Sequence, residues 1–433
     1  MEWVIILGTV FGLVFSGLWL GVALGITGWV VFHFLANGAE SMVGSSVWNG
    51  IQMYSIVAVS CFILMGQIIL RSGISKKVYN SVSPLMERVP GGLLHTNIAL
   101  CALFASVFGA SAATAAVVGS TAFPELKARN YDYRLTLGTV AAGGTLGIMI
   151  PPSAAFIIYG ALTGISIGAL FAAGILPGIL LALLFSSYIV IKATRNPEVA
   201  PRSEKMEPLG ASLMRLLGLW PMVVLIAVVL VPIFAGWATA TESSGVGVFG
   251  GLILGRFYGE LTLKDIIESV KEATHTFVML MFVVAGAMIF SQAVALIGLP
   301  RQLTMTIGEL QIPGIFIIIG LGVMYLALGC LFDGISFMVM TLPFVYPIIH
   351  DLGYGGIWFG VLLVILIEIG QLTPPVGVNL YVIQAIAEKG TTLEDVIRGM
   401  WPFFWILLFG AGLIILFPQI CTFVPHLFGF EIR

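Results

Sequence analysis

Two interrupted apolar stretches, each occurring twice, constrain this chain more than any other feature. Phe108-Gly-Ala-Ser-Ala-Ala-Thr114, with Gly143-Gly-Thr-Leu-Gly-Ile-Met-Ile-Pro-Pro152 downstream, puts small and helix-breaking residues into runs too apolar for an aqueous loop. Phe332-Asp-Gly-Ile-Ser-Phe337 and Glu368-Ile-Gly-Gln-Leu-Thr-Pro-Pro-Val-Gly377 repeat the construction. Backbone that leaves helical geometry inside a membrane bares N–H and C=O groups at several kcal/mol each, so it persists only where protein, ions or substrate satisfy them. Pro90 and Pro313, Pro124 and Pro347, Tyr131 and Tyr354, Gly147 and Gly370, Pro151 and Pro374, and Pro152 and Pro375 are all 223 residues apart. The chain reads as a duplication. Interruptions at corresponding places in two halves are the sequence mark of a transporter's binding site.

Hydrophobic residues make up 59% of the 433 and charged residues 9%, against about 25% charged in a soluble domain. This composition implies an all-α polytopic membrane protein, with room for roughly a dozen segments of ~20 residues in the lipid bilayer. A net charge of −2 without a basic cluster argues against nucleic acid as a partner. The apolar run Trp3 to Leu35 is too long for a signal peptide's core and has no basic flank before it, so it reads as two retained helices. Cys61, Cys101, Cys330 and Cys421 show no disulfide or metal spacing and read as buried, inert thiols.

Along the chain, residues 1–50 read as N-terminal scaffold helices ending in a polar loop, Asn37 to Asn49. Repeat 1 covers 51–195. It opens with a membrane helix, Ile51 to Leu70, and a loop, Arg71 to Arg88, whose Arg71, Lys76, Lys77 and Arg88 place it in the cytoplasm. The hairpin 90–123 is interrupted at Gly109 to Ser111 and returns to a second basic loop carrying Lys127, Arg129 and Arg134. It therefore reads as a re-entrant helical hairpin with its tip near the midplane. The next crossing, 135–162, reads as a helix broken from Gly143 to Pro152, where prolines remove donors and glycines ease the departure. Gly164 to Ala173 reads as a surface element and Pro177 to Ile191 as the return, leading to a cytoplasmic loop with Lys192, Arg195, Arg202 and Lys205.

Residues 196–275 read as linker helices, about Leu217 to Phe234 and Glu242 to Leu254, plus an amphipathic arm, Arg256 to His275, lying in the interface. Repeat 2, 276–420, carries a hairpin 313–347 and a broken helix 357–387, and a tail follows at 421–433. Its loops lack the bases of repeat 1: Leu299 to Ile312 has only Arg301, and His350 to Ile357 has none. Equivalent loops then lie on opposite sides, giving inverted-topology repeats with both termini outside. Trp29, Trp48, Trp220, Trp237, Trp358, Trp401 and Trp405 fall near predicted helix ends as interfacial anchors.

Each tip is expected to face an unwound stretch of its own half, Gly109 to Thr114 with Gly143 to Gly147 and Asp333 to Phe337 with Gln371 to Gly377. Bared carbonyls and Ser or Thr hydroxyls are hard donors suited to Na⁺, and half-helix N-termini suit an anion. One sodium site is expected at Gly109, Ser111, Thr114, Gly144, Thr145 and Gly147, and another at Asp333, Gly334, Thr373, Pro375 and Gly377. Ser111, Ala112, Pro152, Ser336, Pro375, Val376 and Asn379 would hold a carboxylate between them. Asp333 either ligates a cation or caps the following half-helix. Glu368, one turn before the second break, either contacts an ion or hydrogen-bonds backbone. Glu242, after Thr239 to Thr241, reads as a helix-start acid. His95, His275 and His350 read as capping or surface histidines.

Gly109-Ala-Ser-Ala-Ala-Thr-Ala115, Lys127-Ala-Arg-Asn-Tyr-Asp132, Ala141-Ala-Gly-Gly-Thr-Leu-Gly-Ile-Met-Ile-Pro-Pro-Ser153 and Thr373-Pro-Pro-Val-Gly-Val-Asn-Leu380 resemble the large membrane subunit of tripartite ATP-independent periplasmic (TRAP) transporters. The resemblance spans nearly the whole chain. It implies a bacterial inner-membrane protein with periplasmic termini, working as a Na⁺-driven elevator that imports an organic acid such as a C4-dicarboxylate, sialic acid or related carboxylate. It also implies two partners, a small four-helix membrane subunit and a periplasmic substrate-binding protein, and no organic cofactor. Where the family pattern has a serine on either side of the tip glycine, this chain has Phe108 and Ala110, which leaves Ser111 and Thr114 as the tip hydroxyls. The alternatives are a stand-alone anion or arsenite carrier of the same superfamily, a Na⁺/H⁺ antiporter, and a remote one, an intramembrane serine hydrolase using Ser111. The last would need a histidine at the depth of Ser111, and His95 is about 16 residues upstream.

Overall fold

The computed structural model describes residues 2–201, 207–309 and 312–431, and among them there is no β-strand. Arg202 and Lys205, counted above as loop charges, lie outside the described residues. The first half runs α1 (Glu2–Phe15), α2 (Leu20–Val30, continued by a π-helical turn over Val31–Leu35), α3 (Met42–Ile51), α4 (Ile56–Arg71), α5 (Ile74–Met86), α6 (Leu93–Phe108), α7 (Ser111–Ala128), α8 (Tyr133–Met149), α9 (Ala154–Thr163) and α10 (Ile167–Arg195). Two linking helices follow α11 (Leu209–Leu216), namely α12 (Trp220–Phe234) and α13 (Ala240–Phe257). The second half runs α14 (Leu263–Leu296), α15 (Leu299–Glu309), α16 (Gly314–Gly329), α17 (Gly334–Asp351), α18 (Gly356–Gln371), α19 (Val378–Ile386), α20 (Leu393–Leu416) and α21 (Gln419–Leu427).

The offset read from the prolines recurs in the helices. Shifting α7, Ser111–Ala128, by 223 residues lands on both ends of α17, Gly334–Asp351, and α8 and α9 shifted the same way fall within one residue of α18 and α19 at each end. Packing follows the same plan. Tyr131 seats its hydroxyl beside Gly92 and accepts from Leu93 N at 3.2 Å. Its counterpart Tyr354 sits against Gly314, where an added Cβ would lie 3.0 Å from the phenol oxygen. The first hairpin arms, α6 and α16, have 16 residues each. At ~1.5 Å per residue they reach about 24 Å, short of a ~30 Å hydrocarbon core.

Several expectations need correction, each for a local reason. Asn37 to Asn49 is not a loop throughout. Ser45 and Ser46 turn their hydroxyls back to Met42 O, at 2.9 and 2.7 Å, so α3 carries them without unsatisfied groups. The membrane helix expected from Ile51 starts instead at Ile56, and α3 and α4 meet at 50°. Arg71 to Arg88 contains α5, whose Ile74, Val78, Tyr79 and Val82 form a buried stripe at helical spacing. The surface element and the return expected between Gly164 and Ile191 are one helix from Ile167 onward, α10. Ser166 caps it at Ala169 N, 3.3 Å, and Pro177 removes a single donor from 29 residues.

The amphipathic arm is not a separate interfacial helix. A capping box of Thr262 and Asp265 starts α14, and no proline interrupts its 34 residues, so the charged stretch runs straight into the apolar one. The tail contains α21, packed against α10. Trp358 is buried, 3% exposed, and donates its indole N–H to Ile414 O at 2.9 Å, unlike the other six tryptophans expected as anchors, which are exposed. Cys101 and Cys421 are buried, but Cys61 and Cys330 are only half-buried, Cys330 because it sits in a turn between helices. Glu242 does start a helix, in a capping box with Thr239 that holds its carboxyl below the usual carboxylate range.

The core gathers on α8 and α18. Every residue of α18 is buried and every residue of α8 from Leu135 to Met149. A helix apolar on all sides can only be satisfied in the middle of a bundle, and α18 carries a single acid, Glu368. Around them, α6 and α7 flank α8, α16 and α17 flank α18, and α20 packs on both. The second half-helix of each half crosses over, with α9 against α17 and α19 against α7.

Candidate functional site

The site is built from two tips and two breaks. At the first tip α6 ends at Phe108, Gly109 adopts the left-handed conformation (φ +58°), Ala110 is extended, and α7 begins at Ser111. Glycine is needed here for its φ and for space. A Cβ on Gly109 would lie 3.0 Å from Pro152 O, which is how closely the tip approaches the break between α8 and α9. Ala154 N donates to Gly109 O at 3.4 Å, joining the tip to that break. At the second tip α16 ends at Gly329, the turn runs through Cys330–Asp333, and Val376 N, from the break between α18 and α19, donates to Cys330 O at 3.1 Å. Each tip is thus tied to the helix break of its own half. The two breaks hold the Pro151-Pro152 and Pro374-Pro375 pairs, both with cis peptide bonds.

The first break is shorter than the sequence suggests. Gly143, Gly144, Thr145 and Gly147 lie inside α8, and only Ile150–Ser153 leaves the helix. The glycines serve contact rather than unwinding. A Cβ on Gly144 would meet Ala115 Cβ at 2.8 Å, and one on Gly147 would meet Ala110 O and Thr114 Oγ1, both at 2.8 Å. These glycines let α7 and the tip lie directly on α8. Backbone carbonyls at 143–147 are therefore committed to a helix, apart from those at its C-terminal end. In the second half the break, Leu372–Gly377, covers the residues expected except Gln371, which closes α18, and Gly377 is left-handed at φ +40°.

The predicted side chains fall into three groups. Thr114, Thr145 and Thr373 return their hydroxyl protons to Ala110 O, Ala142 O and Ile369 O at 2.9, 2.6 and 2.7 Å, which leaves their oxygen lone pairs able to accept. Asp333 caps α17: its carboxylate accepts from Ser336 N at 3.2 Å and from Ser336 Oγ at 3.0 Å. Ser111 donates to Glu368, so the acid bonds the tip of the opposite half rather than backbone. Gly334, the counterpart of Ser111, also rests on α18, where an added Cβ would meet Ile367 Cγ2 at 2.2 Å and Gln371 Nε2 at 2.4 Å. Consequently α18 touches both tips.

Ala112 follows Ser111 on α7, and Asn379 lies in the first turn of α19, fully buried, with neither amide atom partnered. Pro152 is buried in the first break, whereas Pro375 and Val376 are exposed in the second. Sequence reasoning missed Gly138 and Gly399, where an added Cβ would lie 2.2 Å from the facing backbone and which press α8 and α20 together behind the site. Neither lies in a motif, and only the partner helix reveals them. A cavity of about 520 Å³ lined by Tyr79, Glu87, Glu125, Arg129 and Arg215 lies near the base of the first hairpin, far from its tip. His95 lies near the same base, buried, with Nε2 2.8 Å from Pro90 O, a carbonyl ahead of α6, and so does not cap that helix and lies at the opposite end of α6 from Ser111.

The family model described as tripartite ATP-independent periplasmic transporter, DctM component, matches residues 7–420. The C4-dicarboxylate TRAP transporter large permease protein DctM of Pseudomonas aeruginosa is 30% identical over 411 residues, covering 94% of each chain. The sialic acid TRAP transporter large permease protein SiaM of Vibrio cholerae is 29% identical, covering 97% of this chain and 98% of that one. Among solved structures, the Alcanivorax borkumensis YdaH transporter, described as having an unusual topology, matches with a TM-score of 0.64 at 15% identity, over 89% of this chain and 90% of its own. That likeness concerns the fold alone. An all-helical membrane protein with paired tips and breaks, matched almost end to end by its relatives, is a transport permease and no enzyme, and it belongs to the DctM component family of tripartite ATP-independent periplasmic transporters.

Proposed function

We propose that this permease is a sodium-coupled symporter that imports an organic acid across the bacterial inner membrane. The observation that carries the reading is the double tie of tip to break, Ala154 N to Gly109 O and Val376 N to Cys330 O, each in its own half. Two such units supply two oxygen-rich seats for Na⁺, with Thr114, Thr145 and Ser111 at one and Asp333 and Thr373 at the other. The N-termini of α7, α9, α17 and α19 supply partial positive charge for a carboxylate between them. Among the described residues no Lys or Arg is buried, so the substrate's charge falls to these N-termini and to the cations.

The permease receives its substrate from a periplasmic binding protein and works with a small four-helix membrane subunit, in an elevator motion of inverted repeats with both termini periplasmic. C4-dicarboxylates and sialic acid, named for two relatives, are the first substrates to test. The test is uptake of labelled C4-dicarboxylate, sialic acid and related sugar acids into proteoliposomes holding this chain, its small subunit and its binding protein. Uptake is expected only with an inward Na⁺ gradient. Equal uptake driven by a proton gradient alone rejects sodium coupling. A second reading, Na⁺/H⁺ exchange, is favoured only by the bare Oε2 of buried Glu368, and ²²Na⁺ uptake driven by an outward proton gradient without carboxylate decides it.

A further inference from the structure

Glu368 is 1% exposed, in a helix with no exposed residue. Its Oε1 accepts the Ser111 hydroxyl while Oε2, buried as well, has no partner, and no ion pair among the described residues includes it. A carboxylate in a membrane interior with a single hydrogen bond is strongly disfavoured unless a positive charge accompanies it. A second unmet group lies at the same level. Helix α19 runs beside α7 in the same direction, since a Cβ on Gly119 would meet Ile386 Cδ1 at 2.6 Å and Lys127 pairs with Glu388 at 2.5 Å. Asn379 precedes Ile386 by seven residues, as Ala112 precedes Gly119. The Asn379 amide is therefore level with the first turn of α7, where Ser111 meets Glu368. Carboxylate, hydroxyl and carboxamide oxygens are hard donors of the kind that suit an alkali cation rather than a transition metal.

We propose that Glu368, Ser111 and Asn379 hold a monovalent alkali cation at the junction of the two halves, in addition to the cation each tip takes with its own break, the Ser111 oxygen being shared with the first of these. This rests on the reading of the chain as a cation-coupled permease. The ligands come from α7 of one half and α18 and α19 of the other, so occupancy fixes the first tip against the helix that also carries the second. The cation neutralises the one charge buried in α18.

The test is equilibrium binding of radiolabelled Na⁺ to the purified full chain in lipid nanodiscs, without substrate, counting ions per chain at saturation. Glu368→Gln, which keeps the shape and the bond to Ser111 but not the charge, is expected to bind one ion fewer. Asn379→Ala is expected to weaken one ion by roughly tenfold or more, the range for loss of a supporting group at a metal site. Should Glu368→Gln not fold, Asn379→Ala decides alone. Wild-type ion count and affinity in the folded variants overturn the proposal. Sodium-dependent uptake alongside that result would leave the symporter reading standing, whereas failure to take up any carboxylate would not alter the ion count.

Discussion

The two tips share a backbone plan and differ in how each is held. The first is buried: Ser111 is 4% exposed, Pro151, Pro152 and Ser153 are covered, and no side chain caps α7 at Ala110. The second is open, with Leu331, Asp333, Pro375 and Val376 exposed and Asp333 capping α17. A buried turn can be secured by close backbone contact, which glycines at 109, 144 and 147 permit, and by one hydrogen bond reaching the other half. An exposed turn, lacking neighbours, relies on a carboxylate of its own. Duplication thus preserved geometry and let the chemistry diverge, with the asymmetry meeting on α18.

The largest effect should come from forcing the buried tip off its helix. Gly147→Ala puts a methyl within 2.8 Å of Ala110 O, a backbone atom that cannot swing away, and uptake is expected to fall about 100-fold, the scale of an ångström-size misplacement at a working site. The control is Gly320→Ala in the second half, where nothing lies within 4 Å. It should transport normally and gain up to about 1 kcal/mol of stability from helix propensity. Next, Ser111→Ala strips Glu368 of its one hydrogen bond and should lower unfolding stability by about 1.5–3 kcal/mol, read from thermal melts in detergent. Removing the cap at the open tip should matter less. Asp333→Ala is expected to cost about 1 kcal/mol and Asp333→Asn nearly nothing, because asparagine caps as well. Asp333→Asn is nonetheless expected to raise the sodium concentration needed for half-maximal uptake, because the acid's charge serves an ion as well as the helix; an unchanged value would leave Asp333 a cap alone. The smallest step gives the buried tip what it lacks: Ala110→Ser should add a cap to α7 and raise stability by no more than about 1 kcal/mol.

That helices stop at the two tips and at the two Pro-Pro pairs was legible in the sequence, because Gly109, Gly377 and the prolines act on their own backbone. What glycines do inside a helix was not. Gly143, Gly144 and Gly147 satisfy an unwinding motif and a packing motif equally, and only Cys101, Ala115 and Ala110 lying against them show which applies. The bond from Ser111 to Glu368 spans 257 residues of sequence and breaks the symmetry of the repeat, since the offset pairs Ser111 with Gly334 and Glu368 with Thr145. No pattern based on the duplication could reveal it. The amphipathic segment at the start of α14 was misplaced for a related reason. Hydrophobic periodicity describes a face and says nothing of where the helix ends, which the capping box at Thr262 and the absence of proline decide.

The most direct check of the two-unit account is a cryo-electron microscopy map of the chain with its small subunit in nanodiscs, in saturating Na⁺ and a transported carboxylate. The account predicts cation density in both tip-and-break units and substrate density between the N-termini of α7 and α17. Cation density at one tip only, or substrate held away from both breaks, would contradict it.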